Sequence, residues 1–476
     1  MHRLRFVAPV WIASLALLAG TSRSASAGGF AAARYGGEEG HPANGHPTSI
    51  YYNPAGLSLG SGTHLYVEGL FAWRTASYDR PESAIGNIVD PGDNAAGTPR
   101  SAISANSGKA SLSNAIAAPF AAVVSDLGVD NLGVGVGLFA PFGGQANWDK
   151  NSDYAGSSVY PGAVDGVQRW QNISGELRSL YIAGAVAYRI PSAKLSIGAG
   201  LNVVSSKVST LRARTLAGTD DMVGPNGSLL EGRSLIEVSG TDLAASAGVI
   251  WQPTDALSIG ASYQSQPGFG TQKLGGTLTN KLGAGPEQAS DVYLWQALPD
   301  VTRLGVIYQA SPAVELRLQG DYTRWSVLSD QCLTSKVSTA NCSFNADGSI
   351  AANADSVVVN VRRLWKDTYG IRAGASYWAS PSLEVGGSLA FDSNAVPIGT
   401  LDPSLMDANK VLANATVRYR MPSVGLDLMV NLLHVFYMER TVTHSTDYAA
   451  PSRVPDGAGT YNQAISLLSL GVGYAF

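Results

Sequence analysis

From residue 62 onward the chain alternates apolar and polar residues in a long series of short runs. In the first run Leu65, Val67, Phe71 and Trp73 share one face, and His64, Tyr66 and Glu68 the other. A period of two is what a strand with two unlike faces requires. Comparable runs occupy residues 115–125, 132–140, 176–189, 195–211, 237–252, 257–266, 300–309, 314–325, 357–378, 383–392, 410–420, 424–438 and 463–476, which makes fourteen predicted strands. In the ninth, Glu315, Arg317, Gln319, Asp321 and Thr323 alternate with Val314, Leu316, Leu318 and Tyr322. In the tenth, Asn360, Arg362, Lys366, Thr368 and Arg372 share the polar face. Such a sheet separates a polar lumen from lipid, because an unpaired charge at a bilayer midplane costs about 2–4 kcal/mol.

The connections sort by length. Residues 127–131, 191–194, 253–256, 311–313, 379–382 and 421–423 are tight turns, whereas 79–114, 141–175, 212–236 and 328–356 are long loops. Short turns at one end and long loops at the other are the periplasmic and extracellular ends of an outer-membrane barrel; a soluble β-sandwich has no reason to sort its loops this way. The fold expected is therefore all-β, a 14-stranded antiparallel transmembrane β-barrel, with a short N-terminal plug.

Composition narrows the choice. Charged residues are only 14% of the chain, against roughly 25% in average soluble proteins. No apolar run after residue 27 is long enough for a helical span. Residues 1–27 read as a signal peptide: Arg3 and Arg5 precede the apolar stretch 7–19, and Ala25-Ser26-Ala27 is a small-residue cleavage site. Losing Arg3, Arg5 and Arg23 takes the formal charge from −4 to −4 − 3 = −7, which argues against nucleic-acid partners. Residues 28–61 then form the plug and 62–476 the barrel. The plug is Gly-rich and aperiodic, beginning Gly28-Gly29-Phe30, and it needs a cavity to sit in. His41 and His46 are each followed by proline and read as turn residues, not metal ligands. Cys332 and Cys342 fall in one predicted loop of an exported chain and are expected to form a local disulfide. There is no Gly-x-Ser-x-Gly elbow, and no helix is predicted after the glycines of 133–137, so neither a hydrolase nor a nucleotide loop is indicated. No cofactor is expected.

Several stretches resemble the FadL/TodX-type outer-membrane transporters of long-chain fatty acids and other hydrophobic compounds. They are Tyr52-Asn53-Pro54-Ala55-Gly56 ahead of the first strand, Gly133–Gly144 followed by Trp148 and Tyr154, 180–201, 257–264, Leu298-Pro299-Asp300, 321–325, Trp365-Lys366-Asp367, and Phe391-Asp392 with Val396-Pro397. The head, residues 37–47, departs from the pattern in being poor in apolar residues. The resemblance implies passive uptake of a hydrophobic ligand, gated by the plug at Gly28, Gly29, Phe30, Asn53, Pro54 and Ala55, with lateral release through a wall opening at Pro141, Phe142 and Gly143. It implies an extracellular apolar patch, for which Trp148, Tyr154, Tyr160, Trp170, Leu229 and Leu230 are candidates. A fatty acid would need a lumenal cation; parity nominates Lys366 first, then Arg178, Arg317, Arg362 and Arg372. A monomer in contact with outer-membrane lipid and lipopolysaccharide is expected. The C-terminal Phe476, on an alternating last strand, resembles the signal read by the barrel assembly machinery. The alternatives are a general diffusion porin, or uptake of aromatic or alkane hydrocarbons instead of fatty acids.

Overall fold

The computed structural model describes residues 34–345, 350–444 and 454–476. The signal segment and Gly28, Gly29 and Phe30 lie outside the described residues. Fourteen strands cross the barrel: β1 (Thr63–Arg80), β2 (Gly108–Ser125), β3 (Leu132–Asn147), β4 (Ser174–Ile190), β5 (Leu195–Arg214), β6 (Gly232–Thr254) and β7 (Leu257–Gln264), then β8 (Val301–Ser311), β9 (Val314–Thr323), β10 (Thr368–Ser380), β11 (Leu383–Asp392), β12 (Lys410–Met421), β13 (Leu426–Tyr437) and β14 (Gly459–Ala475). Each pairs antiparallel with its neighbours, and β1 closes on β14 from His64↔Ala475 to Asp79↔Thr460. Closure leaves no free edge, as a sheet in lipid requires.

The alternation translates directly into the two faces. Phe71, Trp73, Ile182, Leu201, Leu318 and Leu432 are exposed on the outside, while Tyr66, Glu68, Arg317 and Gln319 are buried inside. Parity fails at two places. Residues 357–378 are not one strand: a rim strand, Val357–Arg362, ends before Leu364, whose φ is 48°, and β10 starts afresh at Thr368. The reset removes Lys366 from the polar face of β10 and leaves it exposed on a connection. Residues 267–299 also carry an unexpected hairpin, Gln272–Lys281 with Gln288–Gln296. This hairpin continues the sheet from the outer end of β6, with Gly275 opposite Ser239, and passes it on through Asp330–Ser335 to Val357–Arg362. The disulfide Cys332–Cys342 is formed, with Cys332 inside a rim strand.

At the other end the tight turns use left-handed residues where the chain must reverse: Leu127, Gly128, Lys194 and Gly425 all have positive φ. The long loops pack on each other. Trp170 is buried with Ala102, Ala105, Ala213 and Met222, and its indole N–H donates to Asn106 Oδ1 at 2.6 Å. Buried pairs Arg80–Asp220 at 2.7 Å and Arg169–Glu231 at 2.9 Å tie these loops together.

Candidate functional site: a plugged lumen with an interrupted wall

The plug fills the short-turn end of the lumen. It comprises a 3₁₀ turn (Gly37–Glu39), one helical turn (Ser49–Tyr52) and a second 3₁₀ segment (Pro54–Leu59). Asn53 organises it. Its Oδ1 accepts the Ala55 N–H at 3.1 Å, capping the last segment, while Nδ2 donates to Pro42 O at 2.7 Å and Val249 O at 3.0 Å. Pro54 occupies the first position of that segment, where its missing N–H costs nothing.

Barrel glycines let the plug backbone approach this closely. A Cβ on Gly133 would meet Leu57 O at 2.2 Å, one on Gly198 Ala55 N at 2.4 Å, one on Gly248 Asn53 Oδ1 at 2.0 Å, and one on Gly260 Pro42 O at 2.1 Å. Ladder pairing aligns Gly133, Ala187, Gly198 and Gly248 across β3 to β6, and Gly260 with Gly305 across β7 and β8. The result is a track on the lumenal wall with no side chain larger than the methyl of Ala187.

The charged head, poor in apolar residues, is held by ions. Glu39 Oε1 lies 2.9 Å from Arg418, 3.2 Å from Arg317 and 3.3 Å from Arg420. Glu38 accepts from Ser388 Oγ at 2.7 Å and Asn414 Nδ2 at 2.6 Å. Burial alone would raise the Glu39 carboxyl, but Arg418, Arg317 and Arg420 more than offset it and hold it well below the ordinary value. Burial, with Arg317 adding to it, pushes the His41 imidazole down to about 3.

The wall is interrupted where β2 meets β3. Their ladder runs from Ser125↔Val134 to Phe120↔Phe139 and stops. Farther out the two strands touch through side chains: Asn114 Nδ2 donates to Asn147 O at 3.1 Å, and Asn147 N–H donates to Asn114 Oδ1 at 2.9 Å. Between these points residues 115–119 face 140–146 without a ladder, a length of about 16 Å at ~3.3 Å per residue. Pro119 and Pro141 lie at the inner end of the interruption, one on each strand, and have no N–H to donate. On its other edge β3 shifts register against β4 between Phe139 and Phe142. Tyr35 of the plug takes the place of the missing strand partner. Its hydroxyl donates to Ala140 O and accepts from Ala140 N–H, both at 3.2 Å.

Above the plug lies a cavity of about 1210 Å³, including the part open to solvent. Leu177, Val208, Ile236, Leu294, Leu333, Val359 and Ile465 line it, with Arg74, Arg212 and Arg363. Trp365 forms part of its floor and stacks edge-on with Trp325 at 4.8 Å; Trp325 meets Phe142 at 6.0 Å. Aromatic contacts therefore lead from the cavity to the interrupted wall.

The site residues nominated from sequence fare unevenly. Asn53, Pro54 and Ala55 form the plug contacts, and Pro141, Phe142 and Gly143 lie on the interrupted strand. The cations do not assemble. Arg317 is committed to Glu39 and Glu315. Arg372 lines a small pocket beside the plug head with Glu38, His41 and Tyr52, bonded to Ser388. Arg178 corrects the parity reading: Leu177, Ser179 and Tyr181 are its buried neighbours, so it takes the outward parity of Ile182. Arg362 has the parity opposite to the cavity-lining Val359, Val361 and Arg363. The expected apolar patch is corrected too. Trp148 and Trp170 are buried, and Tyr154 and Tyr160 pack on the loop core, because loops this long gain more by burying aromatic area against each other; Leu229 remains exposed and Leu230 is partly covered. Arg74 was missed, although it continues the polar face of the first strand begun by Tyr66 and Glu68.

A closed, even-stranded barrel with an apolar outer face and a plugged lumen defines an outer-membrane transport channel. The chain belongs to the outer membrane protein transport family OMPP1/FadL/TodX, whose sequence model matches residues 10–476. Among solved structures it is similar in fold to a Pseudomonas aeruginosa FadL homologue, at 17% identity and a TM-score of 0.74, covering 94% of this chain and 100% of that one. It is also similar to the Ralstonia pickettii toluene transporter TbuX (16%, TM-score 0.57, 96% and 97% covered) and the P. putida toluene transporter TodX (15%, 0.59, 95% and 99%). No curated protein sequence matches the chain.

Proposed function

We propose that the protein carries long-chain fatty acids or similar hydrophobic molecules passively from the outer surface into the upper cavity and releases them sideways into the bilayer between β2 and β3. The plug closes the axial path. The interrupted β2–β3 ladder carries this reading, since in a closed barrel it is the place where strand pairing is replaced by side-chain contacts and a plug tyrosine. The fold is similar to that of a FadL homologue and of toluene transporters, which supports a hydrophobic cargo. Energetics favour the sideways route. A chain of about fifteen methylenes gains roughly 0.8 kcal/mol for each one buried, so release into periplasmic water costs on the order of 12 kcal/mol. Transfer from an apolar cavity to lipid avoids most of that. Closure within one chain supports a monomer in contact with outer-leaflet lipid and lipopolysaccharide, and the exposed terminal Phe476 supports delivery by the barrel assembly machinery.

The test is to lock the interruption. Ala117→Cys and Gly143→Cys, bridged by a cleavable bis-maleimide, should reduce uptake of a labelled fatty acid or toluene into proteoliposomes to background, and cleaving the bridge should restore it. Undiminished uptake in the bridged protein, with ion conductance to match, would instead favour an axial pore.

A further inference from the structure

One cation facing the upper cavity has been left without an anion. Arg74, on β1, is 8% exposed and lines the cavity. Its Nη1 donates to Gln145 O at 3.3 Å and its Nη2 to Gln463 Oε1 at 3.0 Å. Its Nε–H is buried with no partner, and among the described residues no carboxylate lies within 4 Å of the guanidinium. Several other buried arginines of this barrel do hold a carboxylate. Arg80 holds Asp220 at 2.7 Å, Arg363 holds Asp402 at 2.8 Å, and Arg317 and Arg418 share Glu39. Of the two carboxylates on the cavity lining, Asp402 is the one held by Arg363, and Glu176 makes no ion pair with Arg74.

A guanidinium buried with only neutral acceptors is costly to fold, because the lost hydration is not repaid by an opposite charge. That cost is recovered when a ligand anion arrives. A carboxylate in the cavity would replace the neutral acceptors Gln145 O and Gln463 Oε1 at the guanidinium with a charged one, and charge-assisted hydrogen bonds are the stronger. The rest of the lining is aliphatic and suits an alkyl chain. We infer that Arg74 is the head-group receptor of this cavity and that its preferred ligand is an amphiphile with one acidic group, its tail lying against Leu294, Leu333 and Val359. The inference rests on the proposed function, in that it takes the cavity as the cargo site; it adds that the site discriminates a hydrophobic acid from an uncharged hydrocarbon of equal length.

Titration of the full-length protein in a non-ionic detergent with palmitate and with hexadecanol tests this. Arg74→Gln should weaken palmitate binding roughly ten- to a hundredfold, the usual effect of losing one charge-assisted hydrogen bond, and leave hexadecanol unchanged. Arg74→Lys, which keeps the charge, should retain most of the affinity and guards against a folding defect. Val208→Phe, which fills the cavity, should weaken both ligands. If Arg74→Gln weakens palmitate and hexadecanol equally, or neither, while Val208→Phe weakens both, the head-group role of Arg74 is overturned and the cavity stands as the cargo site. If Val208→Phe affects neither ligand, the cavity is not the cargo site and both readings fall.

Discussion

The glycine track makes a quantitative prediction at Gly248. An alanine there would put its Cβ 2.0 Å from Asn53 Oδ1, 2.8 Å from Asn53 Cγ and 2.9 Å from Ala261 O. The amide must move by more than 1 Å to restore ordinary contact, yet it is fixed by the Ala55 N–H, Pro42 O and Val249 O. Swinging it away loses a helical cap, about 1 kcal/mol, and one or two further hydrogen bonds at about 1 kcal/mol each. Docking of the plug should therefore weaken by about 2–3 kcal/mol, or roughly thirty- to a hundred-and-fiftyfold in the ratio of docked to undocked plug. The barrel feels the methyl only at Ala261 O on β7, where a shift of a few tenths of an ångström restores ordinary contact, so strand pairing is kept. The assay is limited proteolysis of the plug, read beside heat-modifiable mobility of the barrel. Gly248→Ala should speed plug cleavage with unchanged barrel mobility. In an Asn53→Ala background, where the clashing oxygen is gone, the same substitution should have little further effect. Equal plug protection in wild type and Gly248→Ala would refute the reasoning.

Glu39→Gln should release the plug more strongly, because it removes the anion nearest Arg418 and leaves Arg418 and Arg420 with Glu384 and Asp427, which belong to the barrel; breaking a buried pair costs about 3–5 kcal/mol. Glu315 and Glu384 remain beside Arg317, so the lower end is expected by the same proteolysis assay. Docking should also weaken in mild acid. His41 is neutral when docked down to about pH 3, whereas free imidazole takes a proton below about 6.5, so the undocked state binds more protons between these values. At pH 5 that favours release by about 2 kcal/mol; burial likewise holds the His46 imidazole down to about 3, so plug cleavage should rise between pH 7.5 and 5 in wild type, less in His41→Gln, and least in His41→Gln/His46→Gln. Glu39, depressed when docked, adds to the loss only below about pH 4.5, as its docked-state preference for the charged form is titrated away. Replacing Cys332 and Cys342 by serine should leave the barrel folded but hasten proteolysis after Ser335, since the bridge ties the rim strand to its loop.

The barrel was legible because every crossing strand has unlike faces, and turn prolines such as Pro191, Pro253 and Pro422 mark the short end. The rim hairpin was not. Gly275-Gly276 and the polar run 285–291 hide Leu274, Leu278, Val292 and Leu294, whose alternation spans only short stretches. Parity arguments also carry no information across an irregular residue, and a single left-handed Leu364 was enough to misplace Lys366. The glycine track was hidden for a different reason. Gly133, Gly198, Gly248, Gly260 and Gly305 stand far apart in the chain, and it is strand register that brings them into line. Arg74 was readable as a lumenal charge from its strand parity, but its lack of an anion depends on residues 389 positions away and could not be read locally.

The contact between Tyr35 and Ala140 means that plug and wall share a thermodynamic account. With the tyrosine in place, both polar groups of Ala140 are satisfied at a point where strand pairing has failed. Withdrawing the plug orphans an N–H and a C=O within the wall, and such groups must then find water, a ligand or each other. If the wall opens here as proposed, its opening and the seating of the plug are linked equilibria, and linkage is reciprocal: whatever raises the occupancy of one state of the wall must shift the plug by the same free energy. A molecule wedged between β2 and β3 would loosen the N-terminus without touching it. Conversely, anything that grips the N-terminus on the periplasmic side would alter the affinity of the opposite, outward-facing cavity if the cavity senses the same wall.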